Sequence, residues 1–327
     1  MRFKQLTPKI CQVEIDNPKT KNEKVCWINI TNAGKDEVEY LRKKYKFDLS
    51  HLRSSLAHKQ SLRPAIETGD GLSGRQAGYL FLILHFPAII YDTIIPGEIE
   101  FFIGHGFIVT IHNNNLQPLN DFFNLCKKDG DSTLTFKYES SAILLYEILD
   151  RLMAGCFPLL DKSGLEINNI EEIIFGRLER ESISRILHLR RNVLSFRKIM
   201  QNHKNILKKL MEMKSRIVPP EKIRSRYKKL VDDSIRVWEI LENQKEMIDV
   251  YNSTYESLMN YRLSDIMKTL TIFSVIVFPL TLFATLFSMD VKGMPFSGHP
   301  QGFFIVLSGM FIITLGMLLF FERKKWL

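Results

Sequence analysis

Eight side chains near the C-terminal end of this chain, Ser264, Met267, Thr271, Ser274, Phe278, Thr281, Thr285 and Ser288, recur at alternating spacings of three and four. That rhythm puts them on one face of an α-helix. Six of the eight carry a hydroxyl, a neutral and weak oxygen ligand, and the row closes two residues later on the carboxylate of Asp290. Such a line of oxygens, interrupted by Met267 and Phe278, suits a narrow path with hydrophobic gates. A plainer reading competes with it: each hydroxyl bonds the carbonyl four residues back, or holds a neighbouring helix. Pro279 adds a local defect, because it removes one helix bond and frees the carbonyl of Val275. One helix cannot enclose a pore, so the path requires several copies around an axis.

The element that carries this row is apolar enough to cross a bilayer. A hydrocarbon core of roughly 30 Å needs about 20 helical residues, and both Thr269 to Met289 and Gly302 to Phe321 meet that length without a charged side chain. Only twelve residues, Asp290 to Gln301, separate the two runs, so the pair is expected to form an antiparallel hairpin. Arg262 and Lys268 precede the first run, and Arg323, Lys324 and Lys325 follow the second. The positive-inside rule then places the bulk of the chain and its last residues in the cytoplasm. Met1 to Asp16 is mixed and charged and does not read as a secretory signal. In that compartment Cys11, Cys26, Cys126 and Cys156, scattered and without a CxxC pair, are expected as reduced thiols.

Ahead of the spans, the first 138 residues change signal every ten or so, as an α/β domain does. Val25 to Ile30 reads as a strand, Asp36 to Tyr45 and Phe47 to Leu56 as helices, and Tyr79 to Tyr91, Ile99 to Ile103 and Phe107 to His112 as neighbouring strands. Pro87 argues against a helix and favours a buried or bulged strand. The stretch Thr68 to Gly78, with Gly69, Gly71, Gly74 and Gly78, is a turn-rich connection without the Lys-Ser/Thr end of a phosphate loop. From about Ser140 the helical period takes over, with breaks at Pro158 and Gly164. One long amphipathic helix is predicted from Ile167 toward Arg216, with Ile183, Ile186, Leu187, Val193 and Leu194 on its apolar stripe. Pro219 and Pro220 stop it. No glycine or proline then occurs between Lys222 and Phe278, so a single helix is expected to run from a cytoplasmic stalk into the first span. The organisation predicted is an α/β domain over 1–138, a helical stalk region over 139–260, the stalk end and inner span over 261–289, an external loop over 290–301, an outer span over 302–321 and a basic tail over 322–327.

Several function classes lose ground on composition and spacing. The formal charge of +9 is concentrated between Arg190 and Lys229, where it reads as a solvated helical face or as a basic belt near anionic lipid or a cation path. Nucleic acid is not an expected partner, since that run lacks interleaved aromatics and no finger, helix-turn-helix or RNP-type signature is present. His51, His58, His85, His105, His112, His188 and His203 show no HExxH spacing, and there is no nucleophile elbow. An enzyme is not expected, and no resident cofactor is called for.

Residues 261–271, Tyr-Arg-Leu-Ser-Asp-Ile-Met-Lys-Thr-Leu-Thr, then Phe278-Pro279-Leu280-Thr281, Ser288-Met289-Asp290 and Lys324-Lys325-Trp326-Leu327 resemble the C-terminal part of the CorA family of divalent-cation channels. The resemblance is specific over about 255–327 and architectural over the rest. It implies a homopentameric funnel: an α/β cytoplasmic domain, long stalk helices that become inner pore-lining spans, and outer spans around them. Membrane lipid and divalent cations are the other partners, the cation being substrate and possible regulator. The family's pore-facing positions fall on Ser264, Met267, Leu270, Ser274, Phe278, Thr281 and Thr285, which nearly coincides with the row read from spacing.

Two departures from the family pattern concern selectivity and regulation. Its Gly-Met-Asn signature reads Ser288-Met289-Asp290 here, replacing the amide ring implied to hold a hydrated ion with five carboxylates that attract cations and repel one another. The loop 291–296, Val-Lys-Gly-Met-Pro-Phe, looks like the branch containing the zinc transporter ZntB, and His299 is its only further ligand type. Magnesium, zinc, cobalt and nickel all stand as substrates. The resemblance also implies a regulatory metal between domain and stalk, falling on Asp92. Lys229 stands where a stalk acid is expected, with Asp232 and Asp233 one turn away. Lys229 would replace the ion if it paired with Asp92. A membrane-anchored scaffold or sensor that no longer conducts is the alternative from another class.

Overall fold

In the computed structural model the described residues are 2–16, 24–56, 64–70, 78–128, 140–175, 180–213, 223–289, 301–324 and 326. Gly71, Gly74, Pro219, Pro220, Asp290 and His299, together with the 138/139 boundary, lie outside them. The chain divides into two compact units, Met1–Tyr251 and Asn252–Leu327.

The first unit is built on a seven-stranded mixed sheet. Its strands are β1 (Arg2–Gln5), β2 (Ile10–Asp16), β3 (Lys24–Thr31), β4 (Ala65–Asp70), β5 (Gly78–Ile90), β6 (Thr93–Gly104) and β7 (Phe107–His112). They lie in the order β1-β2-β3-β7-β6-β5-β4. Every pair is antiparallel except β3 with β7, which α1 (Lys35–Tyr45) and α2 (Leu49–Ser54) help to connect. β5 is apolar on both faces because both are covered. One face closes on α1 and α2 through Val38, Leu41, Phe47 and Leu52, packed on Ile28, Phe81, Phe102 and Val109. On the other, Trp27 stacks on Phe122 and Phe123 of α3 (Gln117–Lys128). The helices α4 (Ser141–Ala154) and α6 (Arg180–Met200) also pack on the sheet.

Pro87 does not interrupt β5, and the register shows why. The β5–β6 hairpin runs without a bulge from Leu80 opposite Ile103 to Ile90 opposite Thr93, and Pro87 faces Pro96. Counting back from the tight turn makes that pair a non-hydrogen-bonded one, so neither ring nitrogen points at its partner. β4 pairs only with Gly78–Ile83 and β7 only with Ile99–Gly104. No strand therefore lies where either missing N–H would donate. At the tip both Tyr91 and Asp92 take positive φ, 47° and 61°, the two-residue turn whose twist matches the strands.

The expected strands and the two short helices all appear, but β1, β2, β4 and α3 are further elements that the sequence reading did not assign. The long helix expected from 167 to 216 is three helices instead: α5 (Cys156–Phe175), α6 and α7 (His203–Glu212). Pro158 and Gly164 are not breaks but lie inside α5. Pro158 falls in its first turn, where a backbone N–H has no helical acceptor anyway. On α6 the buried stripe is Ile186, Leu189, Val193 and Phe196, while Ile183, Leu187 and Leu194 are exposed. The predicted stripe had mixed two adjacent faces, and the covering sheet selects one.

The last helices are α8 (Arg224–Phe287), 64 residues with Pro279 inside, and α9 (Gly302–Arg323). The single unbroken helix expected to enter the first span is thus present. In the first unit α8 buries Tyr227, Leu230, Ser234, Val237, Leu241, Gln244 and Ile248, a three-and-four stripe. Side-chain bonds tie it to the helices before it: Tyr227 Oη donates to Ala142 O (2.8 Å), and Gln244 Nε2 to Leu160 O (2.8 Å). Arg197 pairs with Glu242 (2.5 Å) and Arg190 with Asp249 (3.2 Å).

Candidate functional site

In the second unit four of the row's six hydroxyls turn back on their own helix. Thr271 Oγ1 donates to Met267 O (2.7 Å), Ser274 Oγ to Leu270 O (2.8 Å), Thr281 Oγ1 to Val277 O (2.8 Å) and Thr285 Oγ1 to Leu282 O (2.9 Å). The plainer reading of the hydroxyls is therefore correct for their hydrogens. It leaves their oxygens as acceptors, since a hydroxyl has one hydrogen and two lone pairs.

The row lies away from the outer helix. Ile272, Ile276, Leu280, Phe283 and Phe287 are the large side chains of reduced exposure along this segment, at spacings of four, four, three and four. The ring of Phe283 stands 4.0 Å from where a Cβ on Gly309 of α9 would be. Thr281 and Thr285 each sit two residues from Phe283, a rotation of about 200° at 3.6 residues per turn. Ser264, Met267, Leu270, Thr271, Phe278, Thr281, Thr285, Ser288 and Met289 are exposed, and Ser274 is half-buried. Phe278 is 72% exposed, so a bulky apolar ring projects from the middle of the row. α8 ends at Phe287. Ser288 N still reaches Ala284 O (3.0 Å) and Met289 N reaches Leu286 O (3.4 Å), so the first two residues of the Ser288-Met289-Asp290 motif continue the helix end, and Asp290 follows outside the described residues. The apolar segments of α8 and α9 are both long enough to cross a membrane.

The candidate regulatory carboxylates have separate surroundings within one protomer. Asp92 Oδ1 accepts from Lys162 Nζ of α5 at 2.6 Å, and this bond holds the Asp92 carboxyl below the usual range. Lys229 does not reach Asp92; its Nζ lies 2.7 Å from Asp150 of α4, which corrects the expected pairing. Asp232 is exposed and Asp233 half-buried. Partial burial raises the Asp233 carboxyl, with Lys229 opposing. Among the described residues no cluster of three or more His, Cys, Asp or Glu side chains is arranged to hold a metal ion. Lys162 and Asn192 are the residues that the sequence did not single out. Buried Asn192 of α6 accepts from Ile94 N (3.1 Å) and donates from Nδ2 to Asp92 O (2.9 Å), clamping the β5–β6 turn. No local pattern marks either one, because their partners lie 70 to 100 residues away.

The histidines do not converge on a reactive centre. His51, His85, His112 and His203 are buried, His188 is half-buried and His105 exposed, and His58 is outside the described residues. Burial lowers His112 and His203 to about 4, so both are neutral imidazoles. Cys126 and Cys156 are buried and Cys11 and Cys26 half-buried, and none of the four is in a disulfide bond.

With this geometry in view, comparison with known proteins decides the family. The family model described as "CorA-like Mg2+ transporter protein" matches residues 22–324, nearly the whole chain. The chain belongs to the CorA-like family. YfjQ of Bacillus subtilis, whose name assigns it provisionally to metal ion transport, is 25% identical over 300 residues, covering 92% of this chain and 89% of the relative. The cobalt/magnesium transport protein CorA of Thermotoga maritima is 29% identical over 184 residues, 56% of this chain and 52% of its own. The complete structure of the CorA magnesium transporter from Methanocaldococcus jannaschii shares the fold with a TM-score of 0.81 at 20% identity, over 99% of this chain and 100% of that one. The α/β domain, the long helix and the apolar C-terminal helix are thus a CorA-like architecture, and divalent-cation transport is the class in which the chain stands.

Proposed function

We propose that five copies of this chain assemble around an axis and pass a divalent cation through a pore lined by α8. The lining is Ser264, Met267, Leu270, Thr271, Ser274, Phe278, Thr281 and Thr285, and the outer mouth is formed by Ser288, Met289 and Asp290. Both chain ends lie on the cytoplasmic side, following the basic flanks of the spans. The observation that carries this reading is a row of hydroxyl oxygens on the face of α8 turned away from Phe283 and Gly309, with four of its hydrogens already given to the helix. Water held by a cation points its hydrogens outward, so acceptors suit a hydrated ion. Met267 and Phe278 supply the apolar constrictions that gate by dewetting. A ring of Asp290 carboxylates raises the local cation concentration and holds hydrated or partly dehydrated ions, which admits magnesium, zinc, cobalt and nickel. A regulatory ion shared between neighbouring protomers at Asp92, Asp232 and Asp233 would first have to displace Lys162 from Asp92.

Metal uptake into liposomes holding the purified protein tests the proposal. Wild type is expected to take up at least one of these four metals, and Asp290→Ala to reduce uptake about tenfold or more. Absence of uptake in a correctly assembled wild type overturns conduction. Equal uptake by Asp290→Ala removes Asp290 from the mouth.

A further inference from the structure

Glu100 is the more deeply buried of the two acids in the apolar strand β6, and it is 2% exposed. Its neighbours in register are Ile83 of β5 and Ile111 of β7, both in the core beneath α1 and α2. Glu100 Oε2 is hydrogen-bonded to the hydroxyl of Ser55, the residue that caps the C-terminus of α2. Glu100 Oε1 has no hydrogen-bond partner among the described residues.

Ser55 Oγ also lies 3.3 Å from the carbonyl oxygen of His51. A hydroxyl has a single hydrogen, so it cannot donate to both a carboxylate and a carbonyl. A consistent chain exists when Glu100 carries a proton: Glu100 donates to Ser55 Oγ, and Ser55 donates to His51 O. The lone Oε1 is then a neutral carbonyl oxygen, which costs far less to bury than a carboxylate oxygen. Among the described residues, the titratable groups on the surrounding elements do not supply a counter-charge. Glu98 on the same strand is an acid, bound to His85 of β5 at 3.0 Å. On α2, His51 is committed to Tyr79 Oη (2.8 Å) and to Glu67 (2.9 Å).

The geometry points to a proton-operated latch: protonated Glu100 fastens the C-terminal end of α2 to β6, and loss of that proton releases it. Burial is the main cause raising the Glu100 carboxyl, to about 8; Glu98 adds, and a Ser55 hydroxyl that donated to the carboxylate would oppose. The native group is thus protonated where the opened group, near 4.5, is not. Stability of the latch is full below about 4.5, falls as pH rises toward about 8, and is constant above. Between those limits opening grows about tenfold per pH unit.

Hydrogen exchange of residues 49–56 in the full-length protein, corrected for intrinsic rates, tests this between pH 6 and 9. Wild type is expected to show opening that rises about tenfold per unit up to about pH 8 and then levels. Glu100→Gln, which keeps the shape and cannot ionise, is expected to show no such slope. A flat wild-type profile, or a slope that persists in Glu100→Gln, overturns the latch. If Glu100→Gln does not fold, Ser55→Ala decides: loss of the hydroxyl that receives the Glu100 proton removes a bond of the protonated form and moves the levelling point to lower pH, and a point that is unmoved or moves to higher pH overturns the proposal. Neither outcome depends on metal uptake, so the latch and the conduction reading stand or fall separately.

Discussion

A hydroxyl beside a helix can serve its own backbone and a passing ion at once. In Thr271, Ser274, Thr281 and Thr285 the hydrogen goes to the helix while the oxygen stays outward, so the two readings of the row were never exclusive. Buried polar groups elsewhere are held as strictly. Trp27 Nε1 donates to Thr110 Oγ1 (3.0 Å), Thr110 donates to Asn29 Oδ1 (2.7 Å), and His112 Nε2 reaches the same oxygen (3.0 Å). His112 Nδ1 accepts from Asn114 N (3.1 Å), which fixes the tautomer with its hydrogen on Nε2. Thr110→Val keeps the volume but leaves Trp27 Nε1 unpaired in the core. It is expected to lower stability by about 1–3 kcal/mol in a denaturant titration.

At the scale of elements, the β5–β6 hairpin depends on a residue from another layer. Its turn places Tyr91, a ring 98% exposed, and Asp92 in the left-handed region, which costs non-glycine residues about 1–2 kcal/mol each. Asn192 offsets part of that cost by bonding the backbone at Asp92 O, in the turn, and at Ile94 N, just after it. Asn192→Ala is expected to speed hydrogen exchange at residues 91–95 by about thirtyfold, matching two lost bonds near 1 kcal/mol each, and to leave β1–β2 unchanged. The hairpin itself was legible in the sequence as two apolar runs. Its clamp was not, because neither propensity nor periodicity reports what a distant helix presents. β2 escaped notice for a related reason: its pattern of buried and half-buried residues gives little alternation to read.

For the whole molecule, the second unit shows large apolar side chains on most of α8 and α9, including Phe273 (65%), Leu282 (62%), Phe304 (66%) and Phe311 (70%). Two isolated spans bury little against each other; in the proposed assembly, lipid and further copies cover the remainder. Under the proposed assembly, native mass spectrometry of the detergent-solubilised protein is expected to give five copies per particle. A monomer under conditions that preserve uptake would refute the shared pore.

The sequence by itself determined that an α/β part precedes a helical part, the lengths of both apolar runs and the three-and-four row of α8, because each follows from local periodicity and from the thickness of a bilayer. It also carried, over about 255–327, the residues whose resemblance pointed to the family. Tertiary structure decided which faces are used: that the α6 stripe is Ile186, Leu189, Val193 and Phe196, that Lys162 rather than Lys229 holds Asp92, and that Glu100 of β6 is sealed beneath α2. Those are contacts between residues far apart in the chain, set by how the layers close, and a one-dimensional pattern carries no record of them.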